Sequence, residues 1–162
     1  MLYSLDMAPV SNTSSPDSET AMMSRQKAGF LYSQVFARGR WQAFWHKLVG
    51  KENFLRELPQ TQSTAKRLPL KDSSVVLVPL EKIVGSEGRV RDFDQNFNPL
   101  ADHNNQRWIS VAVAHRQGKT LPPVDLIQIG DEYYDRDGHH RISVAKAAGQ
   151  AVIEAEIAYA SV

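Results

Sequence analysis

The chain has 162 residues, of which 42% are hydrophobic and 23% charged, close to the average for a globular domain. It has no cysteine, which excludes disulfide scaffolds, thiolate zinc sites and cysteine nucleophiles. The net charge of +1 conceals three blocks: −3 over residues 1–23, +8 over residues 24–71 and −4 over residues 72–162, a segregation that points to separate roles along the chain.

Residues 8–20, APVSNTSSPDSET, are rich in Ser, Thr and Pro and hold no large apolar residue after Val10. Residues 1–20 are therefore expected to form a disordered tail. They also lack Lys and Arg, unlike a secretory signal. No apolar run approaches the roughly 20 residues of a membrane span. The expectation is a soluble, cytoplasmic protein with no membrane partner.

Residues 21–58 read as a basic helical segment. Leu31, Val35, Trp41, Phe44, Trp45 and Leu48 recur at helical spacings, and Gly39 is expected to separate two helices or kink one. Trp41, Phe44 and Trp45 need an apolar surface, expected to be the domain that follows. The alternative is a dimer or partner interface, with Arg25, Lys27, Arg38, Arg40, Lys47 and Lys51 around it and free to meet phosphates. Residues 59–74, with two prolines and no period, read as a linker.

Over residues 75–162 the pattern changes to a compact α+β domain. Residues 75–78 form a β-branched strand ended by Pro79, and residues 85–89 read as a loop. Residues 107–117 predict a helix with Trp108, Val111, Ala112 and His115 on one face and Gly118 beyond it, His115 being taken as a core residue. A strand over 124–129, a turn at Gly130-Asp131 and a returning strand at 133–135 make a hairpin. A helix over 139–148 closed by Gly149 and a strand over 152–157 complete a small mixed sheet with flanking helices.

The chemistry concentrates in Asp137-Gly138-His139-His140-Arg141, between a strand and a helix. Gly138 lets the backbone approach a ligand. The helix start offers unpaired N–H groups and the positive end of a dipole. Arg141 can grip a phosphate bidentately, and His139 and His140 can move a proton. The plainer alternative is that Asp137 caps the helix and the histidines are solvated. Adjacent histidines diverge by about 100° on a helix, so a shared metal on them with Asp135 or Asp137 is disfavoured. Asp92 and Asp94 on an extended segment, with Asp137, are the candidate Mg²⁺ ligands.

Residues 75–157 resemble the ParB/sulfiredoxin superfamily, also called the ParB-like nuclease domain. The resemblance rests on Val78-Pro79-Leu80 leading to Ile83, the arginine-rich residues 89–94, and helix 107–117 with Gly118. It continues through Leu121-Pro122-Pro123-Val124, the hairpin about Gly130, the Gly138-His139-His140-Arg141 box, Gly149 and strand 152–157. It implies a ParB/sulfiredoxin-like sheet, with Gly138, His139, His140 and Arg141 holding nucleotide phosphates and Arg89 or Arg91 as the first-box arginine. The catalytic cysteine of sulfiredoxins would fall at His139, so that chemistry is excluded. Free-serine kinases of this fold take a carboxylate base from the first loop, where Glu87 stands. The helix-turn-helix of plasmid-partition ParB proteins is not present, so the chain is expected to be a stand-alone member.

The expected function is nucleotide or phosphoester binding, with CTP, ATP or ADP and Mg²⁺ as the expected ligands. NTPase or phosphotransferase activity could draw on His139, His140 or Glu87. The alternatives are a DNA- or RNA-binding module using the basic N-terminal helices, and a nuclease. A homo-oligomer through the aromatic helical segment is a further expectation.

Overall fold

A computed structural model describes residues 16–50, 53–59, 75–102 and 105–159. Among these residues there are three α-helices, α1 (Pro16–Leu48), α2 (Asn105–Arg116) and α3 (His139–Ala147). Six strands accompany them: β1 (Arg56–Glu57), β2 (Val76–Pro79), β3 (Ile83–Ser86), β4 (Val124–Ile129), β5 (Glu132–Asp137) and β6 (Val152–Tyr159). They form one mixed sheet in the order β1-β3-β5-β4-β6-β2. The architecture is the expected α+β class, with a helical N-terminal segment ahead of the sheet.

Pairing explains the order. β4 and β5 form the antiparallel hairpin about Gly130. α3 then carries the chain back so that β6 lies parallel to β4. β2 adds antiparallel to β6 at one edge, where Pro79 is tolerated as the last strand residue because an edge position can do without a ladder N–H. β3 and β1 extend the other side in parallel.

Three sequence expectations change here. The loop expected at residues 85–89 begins as a strand: Gly85 pairs with Tyr134 and Arg56. A Cβ at Gly85 would press into the Arg56 carbonyl and come within 2.6 Å of the Tyr134 ring, so the glycine permits close packing of strands rather than a turn. The helical segment expected over 21–58 starts earlier, at Pro16, runs unbroken through Gly39 and ends at Leu48. Gly39 makes room for the loop at Asn98–Leu100, whose atoms would lie 3.0–3.4 Å from a Cβ. Residues 56–57 leave the helical expectation altogether and join the sheet. Of the expected linker, residues 60–74 lie outside the described residues, as do residues 1–15 of the expected tail.

The core has two main parts. Val78, Ile83, Leu126, Ile142 and Ala155 join Phe93 and Phe97 between the sheet, α3 and the loop after β3. Ala28, Tyr32 and Val35 of α1 pack on Trp108 and Ala112 of α2 and Val144 of α3. Trp108 is fully buried, stands edge-on to Tyr32, and donates its indole N–H to Ser143 Oγ at 2.8 Å. α1 is thus docked through its middle. Its last turns are not, and Trp41, Phe44 and Trp45 stay at least half exposed, against the expectation that the domain covers them. His115 is only half-buried, so it is no core residue either.

Candidate functional site

β5 delivers the chain to α3 through Gly138, whose φ of 150° is closed to most side chains. A Cβ there would sit 2.5 Å and 2.7 Å from Val124 side-chain atoms. The strand can therefore turn tightly into the helix only with glycine at this point. The Gly138 carbonyl accepts the Ile142 N–H at 2.9 Å, and no side chain caps the helix. The alternative that Asp137 is the cap is thereby set aside. The amides of the first turn have no helical acceptor of their own.

This uncapped end opens on a cleft of about 690 Å³, walled by Gly88, Arg89, Arg107, Val111, Leu121, Pro122 and Pro123, by the carboxylate residues Asp125 and Glu156, and by the 136–141 corner. Both arginines are exposed, but Arg89 lines the cleft and Arg91 does not, which separates the two first-box candidates by position. Arg89 holds a left-handed φ of 52°, an unfavourable conformation for a non-glycine residue that costs about 1 kcal/mol.

The two histidines differ sharply. His139 is fully engaged with the protein. Its Nδ1 lies 2.8 Å from Oδ2 of the fully buried Asp135, and its Nε2 lies 2.6 Å from Ser86 Oγ. Its ring stacks on Phe93 with centroids 5.7 Å apart. Burial pushes the Asp135 pKa up, while the hydrogen bond and charge of His139 pull against that rise. Ser86 is itself saturated: it receives the Gly88 N–H at 3.0 Å and reaches the Gly88 and Asp135 carbonyls. Ser86, His139 and Asp135 therefore tie β3, β5 and α3 together, and of the three only His139 lines the cleft.

His140 has the opposite character. It stands edge-on to Phe93 and lines the cleft, and its buried Nδ1 has no hydrogen-bond partner. Burial lowers its pKa to about 4, helped by the positive charges of Arg107, Arg89 and His139 and opposed by Asp92. At neutral pH it is an uncharged imidazole with an unmet nitrogen, beside two guanidinium groups.

Several expected roles change with this geometry. Arg141 is not a free phosphate grip. Its Nη1 donates to the Pro122 and Pro123 carbonyls at 2.8 and 2.7 Å, and its Nη2 to the Asp137 carbonyl and carboxylate at 3.2 and 2.8 Å. The two prolines supply carbonyls with no competing N–H, and the arginine pins that segment against the corner. Glu87 is not a free base, because its carboxylate takes the Arg136 Nε–H at 2.9 Å. Asp94 is fully buried and organises its own loop, accepting from the Asn96 and Asn98 amides and from Asn98 Nδ2, all at 2.8 Å. Asp92 and Asp94 thus sit in a turn, not on one side of an extended segment. With Asp137 held by Arg141 as well, no three His, Asp or Glu side chains among the described residues converge on a metal-sized site. These residues do not fit a protein-held Mg²⁺. Sequence reasoning missed Ser86 and Arg107, because only the fold brings them to the box.

No protein-family model and no curated protein matches the chain. Among solved structures, it is similar to the crystal structure of sulfiredoxin from Arabidopsis thaliana, at 28% identity over 53% of this chain and 85% of that one, with a TM-score of 0.39. At that TM-score the likeness bears no weight for the site, which stands on its own residues.

Proposed function

We propose that the cleft at the start of α3 binds the phosphate end of a phosphoester, with a nucleotide as the ligand class. The observation that carries this reading is the coincidence of three unmet requirements. The helix end is uncapped, Arg89 and Arg107 line the same cleft, and the His140 Nδ1 there is buried without a partner. A helix N-terminus attracts anions through its bare amides and its dipole, and guanidinium groups match phosphate oxygens. An arriving phosphate would meet all three requirements at once. The cleft volume suits a nucleotide-sized guest, since ligand pockets run to roughly 300–1,000 Å³. Val111, Leu121, Pro122 and Pro123 offer an apolar wall for the part of the ligand beyond its phosphates.

His140 gives the site a proton response. A bound anion favours the imidazolium, so binding raises the His140 pKa and takes up a proton in mildly acid solution. His140 is also the better placed of the two histidines to pass a proton to a departing or attacking oxygen, because both nitrogens of His139 are already engaged. NTPase or phosphotransfer activity would build on this binding. A nuclease reading lacks the metal-holding group of three or more His, Asp or Glu side chains that it would need among the described residues.

Calorimetric titration with CTP, ATP, ADP and inorganic phosphate tests the proposal on the native chain and on Arg89→Ala and Arg107→Ala. At least one nucleotide should bind, with a loss of tenfold or more in each variant, as expected for a charge-assisted contact worth about 1.5–3 kcal/mol. No binding by any ligand, or equal binding by all three proteins, overturns it.

A further inference from the structure

A second groove forms where α1, α3 and the loop after β3 meet. Gln34, Arg38 and Gln42 recur every fourth residue, so α1 carries them in one row beside the buried Val35. Ser143, Lys146 and Ala147 share one face of α3 for the same reason. Gly39 has no side chain to hold off the Asn98–Leu100 segment, and the loop closes the third side with Asn96 and Asn98. The groove has a volume of about 430 Å³ and shares no lining residue with the cleft at the start of α3.

Its charge is one-sided. Arg38 and Lys146 line it, and no Asp or Glu among the described residues does. Neither cation forms an ion pair among the described residues. The Lys146 ammonium lies over the Phe97 ring, 4.7 Å from its centroid, and its hydrogen bond to the Ile83 carbonyl is long at 3.5 Å. Burial pushes the Lys146 pKa down, and the charge of Asp94 opposes that fall. Asp94 is itself fully buried, with its carboxylate taken up by the Asn96 and Asn98 amides and by Asn98 Nδ2. A partly buried ammonium with no carboxylate against it gains from an arriving anion.

We propose that this groove binds a phosphorylated sugar, with Arg38 and Lys146 on the phosphate and the side-chain amides on the hydroxyl groups. A guanidinium and an ammonium on opposite walls suit a phosphate dianion. Asn96 Nδ2 donates to Gln42 Oε1 at 3.3 Å, which leaves the Gln42 amide as a donor and the Asn96 amide as an acceptor, while Gln34 supplies both. That mixture matches hydroxyl groups, which also donate and accept. A nucleotide is a poorer guest here. No aromatic side chain among the described residues lines the groove, and Lys146 stands over the nearby Phe97 ring, so a base finds no open ring face to stack on.

Calorimetric titration with ribose 5-phosphate, ribose and inorganic phosphate tests this on Arg89→Ala, in which the cleft at the start of α3 is weakened. The same titrations are run on that variant with Arg38→Ala or Lys146→Met added. Ribose 5-phosphate should bind Arg89→Ala about tenfold or more tighter than ribose or inorganic phosphate, and each added substitution should weaken it about tenfold or more. Arg38 is exposed on α1, so Arg38→Ala keeps the fold and carries the test should Lys146→Met lose its native circular dichroism. No binding of ribose 5-phosphate by Arg89→Ala, or unchanged binding after Arg38→Ala, overturns the inference. So does equal affinity for ribose, which leaves the cations without a role, or for inorganic phosphate, which leaves the amides without one. Nucleotide binding by the native chain reads the other cleft separately, because the two share no lining residue.

Discussion

The corner between β5 and α3 and the outer face of α1 depart from ordinary protein surfaces in opposite directions. At the corner, the His140 Nδ1 is buried without a partner beside the first turn of a helix that no side chain caps. On α1, large apolar groups are exposed without cover. Each departure costs free energy in the isolated chain, by lost hydrogen bonding in one case and by hydrated apolar area in the other. The two differ in what they lack, a hydrogen-bonding partner at the corner and apolar cover on the helix. The two also differ in how tightly the backbone is held. The corner is fixed by Gly138, the Arg141 bonds and the Ser86–His139–Asp135 chain, whereas α1 beyond Gly39 has few tertiary contacts to lose.

Glycine replacement tests that contrast most strongly. Gly138→Ala forces a Cβ into Val124 at a φ that alanine avoids, and should lower stability by about 3 kcal/mol or more in urea titration. Gly29→Ala lies within α1 with no atom within 4 Å of the new methyl group, and should raise stability by about 0.5–1 kcal/mol. Similar losses at both positions would show that α1 is held as firmly as the corner.

Acid should act through the corner. The His140 pKa is about 4 when folded against 6.5 for the free side chain. Below pH 6.5 the unfolded chain takes up that proton first. The His140 contribution is thus intact above pH 6.5 and is lost as pH falls toward 4, by about 3 kcal/mol in all. Asp135 opposes this slope, because its raised pKa means a contribution lost as pH rises through it. Thermal melts of the native chain and of His140→Gln between pH 4 and 7 should show the steeper acid loss in the native chain. Parallel curves would remove His140 from the account.

The smallest effect separates stability from binding within the corner. Arg89→Gly relieves a left-handed backbone and should raise stability by about 1 kcal/mol, while weakening nucleotide binding. A change of the same sign in both would mean that Arg89 only shapes its loop.

Much of this was legible because it is local. The hairpin about Gly130, the helix after Gly138 and the alternation in β6 follow from turn chemistry and period, and the structure has them within two or three residues. What escaped was set by distant contacts. Gly85 reads as a loop residue until the Arg56 carbonyl and the Tyr134 ring are in place, and Gly39 reads as a helix break until the 98–100 loop lies against it. In the site, the box was visible as a string of residues but its division of labour was not. The carbonyls of Pro122 and Pro123 recruit Arg141 away from the cleft. Arg107, from α2, enters it with no signal in the sequence.

The central claim is that an anion completes the corner at His140. The most direct measurement is an NMR titration of the imidazole nitrogens, with and without saturating nucleotide or inorganic phosphate. The His140 pKa should move up from about 4 when the anion is present, and Arg89→Ala should abolish the shift. A His140 pKa that stays where it is in the presence of every phosphate ligand would contradict it.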